Sequence, residues 1–234
     1  MPITQKQQKT IEGVPASSCW SCHASVQGAH FCGSCGKIQP LVPGQDYFSF
    51  FELPRKLELD RAALEGKFHT LSWKLHPDNF VRASEFERNL SLERSSELND
   101  AFRTLREPLA RVAYLLEFLG VRKEGTTKQQ APPELLEEVF ELNESLDELR
   151  DARASGGDTA SLRERLVAAQ RNFDEKLAEV DGDLAKAGRE WDAAVDAHTD
   201  DAATSAVLTR MGDLLNRRAY IRNLVEGVNQ EITA

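Results

Sequence analysis

Between Asp60 and Leu75 the apolar positions Leu64, Phe68, Leu71 and Leu75 step by four, three and four. That spacing lines one face of an amphipathic helix. Pro77 stops it, because a proline disfavours helical geometry in the residue before it and donates no N–H. Asp60 is placed to cap the helix N-terminus. A second amphipathic run begins near Ser84 and ends near Glu107, before Pro108, with Phe86, Leu90, Leu98, Ala101, Phe102 and Leu105 on its buried side. Leu109, Val112, Ala113, Leu116 and Leu119 repeat at helical spacing up to Gly120. A short aromatic stretch from Asp46 to Pro54 precedes the first long helix and predicts a small helix of its own.

The C-terminal part repeats the helical period three more times. Pro133 suits a first helical turn, and Leu135, Val139, Leu142, Leu146 and Leu149 alternate by four and three. After the Ser155-Gly156-Gly157 turn, Leu162, Leu166, Phe173, Leu177, Val180 and Leu184 form a second stripe, with Gly182 and Gly188 as candidate kinks or ends. Val207, Met211, Leu214, Leu215, Ile221, Leu224 and Val228 form a third. Three helices joined by short turns predict an antiparallel bundle. Leu136 and Phe140 fall outside the first stripe, roughly 100° and 140° from Leu135. Glu144, Glu137, Glu148 and Glu141 continue round the same side. An apolar pair bordered by carboxylates fits a docking surface; a wide core face that also buries Leu136 and Phe140 fits the same periodicity equally well.

Composition narrows the classes. A chain of 234 residues holds one large or two small domains. Charged residues make up 29% and aromatics 7%, which suits a nearly all-helical protein. No apolar run reaches bilayer length, and no signal-peptide or transit pattern opens the chain, so a cytoplasmic protein without a membrane segment is expected. Residues 1–132 carry 17 Lys and Arg against 15 Asp and Glu; residues 133–234 carry 12 against 23. An acidic C-terminal half argues against nucleic acid as a partner, since that needs a basic surface to meet phosphate. It suits a protein partner presenting basic or mixed charge.

Residues 1–18 are polar and aperiodic and read as a disordered arm. Residues 19–45 hold a small module and its linker. All four cysteines lie here, as Cys19-Trp20-Ser21-Cys22 and Cys32-Gly33-Ser34-Cys35. Each pair places two thiolates on one ion from one tight turn, and two turns complete the tetrahedron that zinc prefers. Gly36 follows the second pair, where a positive φ lets N–H groups point at sulfur. With so few apolar residues, the metal would supply most of the module's folding free energy. Two disulfides are disfavoured without a secretory signal, and a redox dithiol normally opens a helix of an α/β fold; iron in a rubredoxin-like site is the remaining rival. His23 and His30 are expected to be solvent-exposed, since four thiolates saturate the site. Pro40, Pro43 and Gly44 stiffen the linker, so the module is expected to lean on the helices beyond it rather than float freely.

The junction of the first two long helices reads His76-Pro77-Asp78. Lys67 and Lys74 lie seven residues apart, on one helix face leading to it. With the aromatic helix before, Asn99-Asp100-Ala101-Phe102-Arg103-Thr104-Leu105 after, and then Pro108 to Leu116, this set resembles a J domain. It resembles specifically the HscB (Jac-type) co-chaperones of iron–sulfur cluster assembly, closely from Asp46 through the J domain and loosely to the C-terminus. The resemblance implies an all-α chain: a J domain over 46–120, a linker over 121–132 and an antiparallel three-helix bundle over 133–234, preceded by the zinc module, which some family members also carry. It implies no enzyme activity. His76, Pro77 and Asp78, with Lys67, Lys74 and Arg82, would meet a DnaK-type (HscA-like) chaperone. Leu136, Phe140, Glu141, Glu144, Glu148 and Tyr220 would hold an IscU-like scaffold, which favours the docking reading of that face. Glu137 departs from the apolar residue usual in the family, and residues 185–205 look longer than its norm. Trp73 is expected to be half-buried and Phe80 to pack under the loop. The rival readings are a general J protein for unfolded clients, which expects a Gly/Phe-rich linker or β-rich client domain not seen here, and a cysteine-based cluster-transfer protein.

Overall fold

The computed structural model describes residues 18–26, 28–121, 132–198 and 201–233. The arm expected over 1–18, Ser18 apart, and the linker expected over 121–132, Val121 and Pro132 apart, lie outside the described residues. Seven α-helices are described: α1 (Tyr47–Phe50), α2 (Arg61–Leu75), α3 (Glu85–Arg106), α4 (Pro108–Phe118), α5 (Leu136–Ser155), α6 (Ala160–Ala197) and α7 (Asp201–Thr233). Two short 3₁₀ turns, Pro77–Phe80 and Pro133–Leu135, precede α3 and α5. β-Pairing among the described residues is limited to two isolated antiparallel bridges, Ser18 with Ser25 and Phe31 with Ile38. No helix among them is long and apolar enough to cross a membrane.

The helix ends follow from local chemistry. Asp60 caps α2 by accepting from the N–H groups of Ala62 and Ala63, as its position predicts. Ser84 and Glu87 form a reciprocal capping box at the start of α3. Asp46 caps α1 through the Ser49 N–H at 2.8 Å and also receives Arg55. Gly156, at φ +70°, ends α5 in the left-handed conformation that the Gly-Gly turn provides.

The described residues form two compact units. The first runs to Arg55 and resumes at Leu59–Arg111; the second takes Lys56–Glu58 and everything from Val112 onward. In the first, α2 and α3 pair antiparallel. Phe68 stacks on Phe102 with ring centroids 4.1 Å apart, while the far end of α2 meets the early turns of α3 where Ser91 and Ser95 donate to the Leu75 carbonyl. Phe48, Phe50, Leu64, Leu75, Leu90 and Leu98 are buried in this unit.

In the second unit α5, α6 and α7 form the expected three-helix bundle. Ion pairs record the directions: Glu148–Arg165 and Glu138–Lys176 run α5 against α6, and Asp181–Arg218 with Glu190–Arg210 run α6 against α7. Leu135, Leu142, Leu149, Leu166, Phe173, Val180, Ile221 and Val228 make the core. The glycines predicted to kink α6 do not: the helix is continuous through Gly182 and Gly188. Gly188 is buried beneath Leu57, and the Asp192 carboxylate one turn on accepts the N–H groups of Leu57 and Glu58 at 2.6 and 2.7 Å. Leu57 thus covers Gly188, while Gly182 lies exposed with open space around it and the helix runs on through it.

Candidate functional site

Three groups of residues carry the chemistry. The first is the cysteine module, built from two equivalent knuckles. Cys19 N–H donates to Ala24 O and His23 N–H returns to Cys19 O; Cys32 N–H donates to Lys37 O and Gly36 N–H returns to Cys32 O. Both returning residues have positive φ, 59° at His23 and 71° at Gly36. The glycine adopts it freely; the histidine matches it without that freedom. The turns bring all four sulfurs within 4.8 Å of one another, with Cys19–Cys35 and Cys22–Cys32 each at 3.6 Å. A tetrahedral ion with metal–sulfur bonds of about 2.3 Å requires sulfurs roughly 3.8 Å apart, so the donor set fits a metal ion.

The thiols are tuned to that end. Burial would raise Cys19, but the N–H groups of Cys22 and Ser21 and the neighbouring sulfurs outweigh it and lower it to about 6. Cys32 is lowered chiefly by the Cys35 N–H, against its burial. Cys35 receives the Lys37 N–H, yet burial and the three other sulfurs push it up to about 12. A fourth thiolate beside the others forms readily only when a cation is shared among them.

The module is seated on α3. Trp20 sits edge-on to Phe86 at 4.8 Å and donates its indole N–H to Ile38 O at 2.7 Å. Lys37 pairs with Glu87 at 2.8 Å. Arg94, fully buried, donates to the carbonyls of Gln39 and Pro40 and, at 2.7 Å, to Nδ1 of His30. Arginine has only donors, so Nδ1 accepts and His30 carries its proton on Nε2, which donates to Phe50 O at 2.9 Å. Burial, then the charges of Arg94 and Lys74, lower His30 to about 4. This corrects the expectation that His30 faces solvent: it is 8% exposed and joins the module to α1 and α3, whereas His23 is exposed as expected. Sequence reasoning passed over Arg94, although one signal was present. It stands four residues from both Leu90 and Leu98, a cation on the apolar stripe of α3.

The second group is the His76-Pro77-Asp78 turn. Pro77 starts the 3₁₀ helix, His76 Nδ1 accepts the Asp78 N–H at 3.3 Å, and Asn79 donates to Trp73 O at 2.6 Å, closing the end of α2. The backbone is therefore tied down while the side chains of His76 and Asp78 stay exposed. Ser91 and Ser95, which hold the Leu75 carbonyl at 2.7 and 3.0 Å, flank Arg94 on α3. The turn and the cysteine module are thus anchored on the same two turns of helix. Lys67 is half-buried and Lys74 exposed on one face of α2, and Arg82 is exposed after the turn. Phe80 is half-buried. Trp73 is not: at 75% exposed it corrects the expected packing role and lies beside the turn.

The third group lies on α5. Leu135, Leu142 and Leu149 are buried, while Leu136 and Phe140 are 54% and 73% exposed. The wide-core reading therefore fails, because the five-position stripe is enough to fill the bundle. Glu137, Glu141 and Glu144 are exposed around the apolar pair. Glu148 is already held by Arg165 at 2.8 Å. Tyr220 is half-buried against the bundle core; Arg217, one turn earlier, pairs with Glu134 at 3.3 Å, which sets this part of α7 beside the start of α5.

No family model matches the sequence. Among curated proteins it is similar to the iron–sulfur cluster co-chaperone protein HscB of Mus musculus, 34% identical over 178 residues that cover 74% of each chain. It is also 34% identical over 151 residues to the co-chaperone protein HscB homologue of Vibrio cholerae, covering 64% of this chain and 85% of that one. Among solved structures, human co-chaperone protein HscB superposes with a TM-score of 0.60 at 24% identity, covering 91% of this chain and 97% of that one. That likeness shows the shared all-helical fold.

Proposed function

From the premise that this chain belongs to the HscB family of iron–sulfur cluster co-chaperones, we propose that it recruits a DnaK-type chaperone to a cluster scaffold protein and stimulates the chaperone's ATPase. The observation that carries this reading is the His76-Pro77-Asp78 turn: its backbone is fixed by Asn79, Ser91 and Ser95 while its ionisable side chains face outward. A turn built this way is preorganised for a partner and needs no reaction of its own. Asp78 pairs with a basic group on the chaperone, Pro77 fixes the loop, and His76 orients it. Lys67, Lys74 and Arg82 meet an acidic partner surface. The stimulated ATPase follows from differential affinity for the chaperone's conformations, which is all a population shift requires.

The exposed pair Leu136 and Phe140, rimmed by Glu141 and Glu144, supports a scaffold-binding face on the bundle, with Glu148 and Tyr220 at its margins. The J-domain segment is assigned to residues 46–120 and the scaffold-binding bundle to 133–234. The four sulfurs are assigned a structural zinc ion, held by Cys19, Cys22, Cys32 and Cys35, and the protein is assigned to the cytoplasm. Zinc predicts a colourless protein with about one equivalent of metal by elemental analysis; visible absorption would point to iron.

The testing experiment is steady-state ATP hydrolysis by a DnaK-type chaperone from the same source, with scaffold protein present. Wild type should stimulate, His76→Gln should lose stimulation, and Leu136→Ala/Phe140→Ala should lose its dependence on scaffold. Stimulation that ignores scaffold would remove the cluster assignment, and no stimulation by wild type would overturn the reading.

A further inference from the structure

The stretch from His76 to Ser84, which carries the His-Pro-Asp turn, is tied to α3 at both ends. At its start the Leu75 carbonyl accepts from Ser91 and Ser95 at 2.7 and 3.0 Å. At its end Ser84 donates its N–H and its hydroxyl to the Glu87 carboxylate, at 3.4 and 3.0 Å, and accepts the Glu87 N–H at 3.3 Å. Between the ties the bonds are local: Asn79 N–H to His76 O at 3.0 Å and Ala83 N–H to Phe80 O at 2.9 Å. The order of the turn therefore depends on what holds its two ends.

Each tie adjoins a contact made by the cysteine module. Lys37, two residues after Cys35, reaches Glu87 at 2.8 Å and gives a counter-charge to a carboxylate that is only 5% exposed. Trp20, inside the first knuckle, lies edge-on to the neighbouring Phe86. Arg94 stands between Ser91 and Ser95 and is held by His30, Gln39 and Pro40. The buried cluster of the module itself is small: Cys19, Val26 and Cys32, with Ala24 packed against it. So small a cluster leaves most of the folding free energy to a metal shared by the thiolates. The contacts on α3 last only as long as that fold does. Once it opens, water reaches Glu87 and Arg94 and replaces their partners. The Glu87 carboxylate then trades Ser84 for solvent, and the cap loses its fixed geometry.

We infer that the four-cysteine module is a metal-dependent brace for the His-Pro-Asp turn, with Glu87 and Arg94 as the positioning residues through which it acts. With metal on the cysteines, Lys37 and Trp20 hold the start of α3 and keep Glu87 on Ser84. His30 pins Arg94, and with it the turn of α3 that carries Ser91 and Ser95. Loss of the metal loosens both ends of the turn, while α2 and α3 stay paired through Phe68 and Phe102. The brace stands on contacts within the first unit; its consequence for ATPase stimulation rests on the chaperone reading proposed above.

The test follows hydrogen exchange of the full chain residue by residue, loaded with zinc and then chelated. Chelation should speed exchange at the Asn79, Ala83, Ser84 and Glu87 amides by about tenfold, the size of a lost helix cap. The amides of Leu98 and Leu105 should stay protected, and added zinc should reverse the change. Lys37→Met, still holding its zinc by elemental analysis, should speed Ser84 and Glu87 by about threefold, as loss of a half-exposed ion pair does. Lys37→Arg keeps the cation and should match wild type. The concentration of Lys37→Met protein that half-stimulates the chaperone should rise in step. Turn amides that exchange alike with and without zinc overturn the brace. A turn loosened by chelation but not by Lys37→Met overturns the route through Glu87. Faster exchange shared equally by every amide of the unit marks a general loss of stability and overturns the positioning role. A turn that loosens on chelation in a protein that stimulates no chaperone overturns the chaperone reading and keeps the brace.

Discussion

Arg94 on α3 holds His30 of the cysteine module at 2.7 Å, guanidinium N–H to Nδ1, in a site closed to solvent. The same guanidinium also binds the Gln39 and Pro40 carbonyls, which come after the second knuckle. Burial lowers Arg94 to about 10, so it stays charged at neutral pH. A buried cation is tolerated because carbonyl and imidazole acceptors replace its water. The four-cysteine module and helix α3 are thereby one structure.

Arg94→Met keeps the length of the side chain and removes its donors. Two buried carbonyls and one imidazole nitrogen would lose their partner, at roughly 1–3 kcal/mol for each group left dry. Partial rehydration at the seam limits the total to about 2–4 kcal/mol. We expect denaturant unfolding to show a loss of that size. Hydrogen exchange should rise first at the backbone of residues 28–40, with the paired helices α2 and α3 still protected.

Removing the metal should act on the same seam from the other side. Cys19 accepts N–H groups from Ser21 and from the Gln39 side chain, both at 3.3 Å, so the knuckle and the Arg94 seat share Gln39. Chelation should unfold the module and move Trp20 off Phe86 into water. With Trp73→Phe and Trp191→Phe, Trp20 is the sole tryptophan, and its emission should shift to the red on chelator addition and return with zinc. Unchanged emission would mean that the module's few apolar contacts suffice to hold it.

Helical spacing announced α2, α3 and the bundle because amphipathic faces leave a periodic trace, and the two Cys-x-x-Cys turns announced a metal-capable cluster because thiolate spacing is local. What stayed hidden were contacts between segments far apart in the chain. Trp73 fell off its helix stripe, and the sequence held no sign that nothing would cover it. His30 gave only its type; its burial depends on Arg94, 64 positions later. The α5 face was ambiguous for the same reason: only the assembled bundle decides how many positions its core can take.

Asp46 gives the acid dependence of the first unit a defined sign. Burial alone would raise its pKa, but the Ser49 N–H, the Arg55 guanidinium and the Ser49 hydroxyl together hold it below the ordinary 3.8. A depressed folded pKa means that the unfolded chain takes up the proton first as pH falls. The contribution is complete above pH 3.8 and is lost as pH drops through the lower folded value. Unfolding in urea at a series of pH values should show the wild-type advantage over Asp46→Asn constant near neutrality and shrinking below about pH 4. An advantage that grows in acid would mean that Asp46 is protonated in the folded state.

Leu142 and Phe140 stand two residues apart on α5 and should answer opposite questions. Leu142 is 3% exposed in the bundle core, so Leu142→Ala removes packing and leaves a cavity, at about 2–5 kcal/mol of stability. Phe140 is 73% exposed, and Phe140→Ala should change stability by no more than about 0.5 kcal/mol. If the exposed face binds the scaffold, that same change should weaken scaffold binding by about 2 kcal/mol, roughly 30-fold, as a central aromatic contact does. Leu142→Ala, studied well below its melting temperature, should bind within a few-fold of wild type. Thermal melts paired with scaffold titrations separate the two effects. A Phe140→Ala protein that melts and binds like wild type would move the scaffold site off this face, since no loss of folding would be available to explain the result.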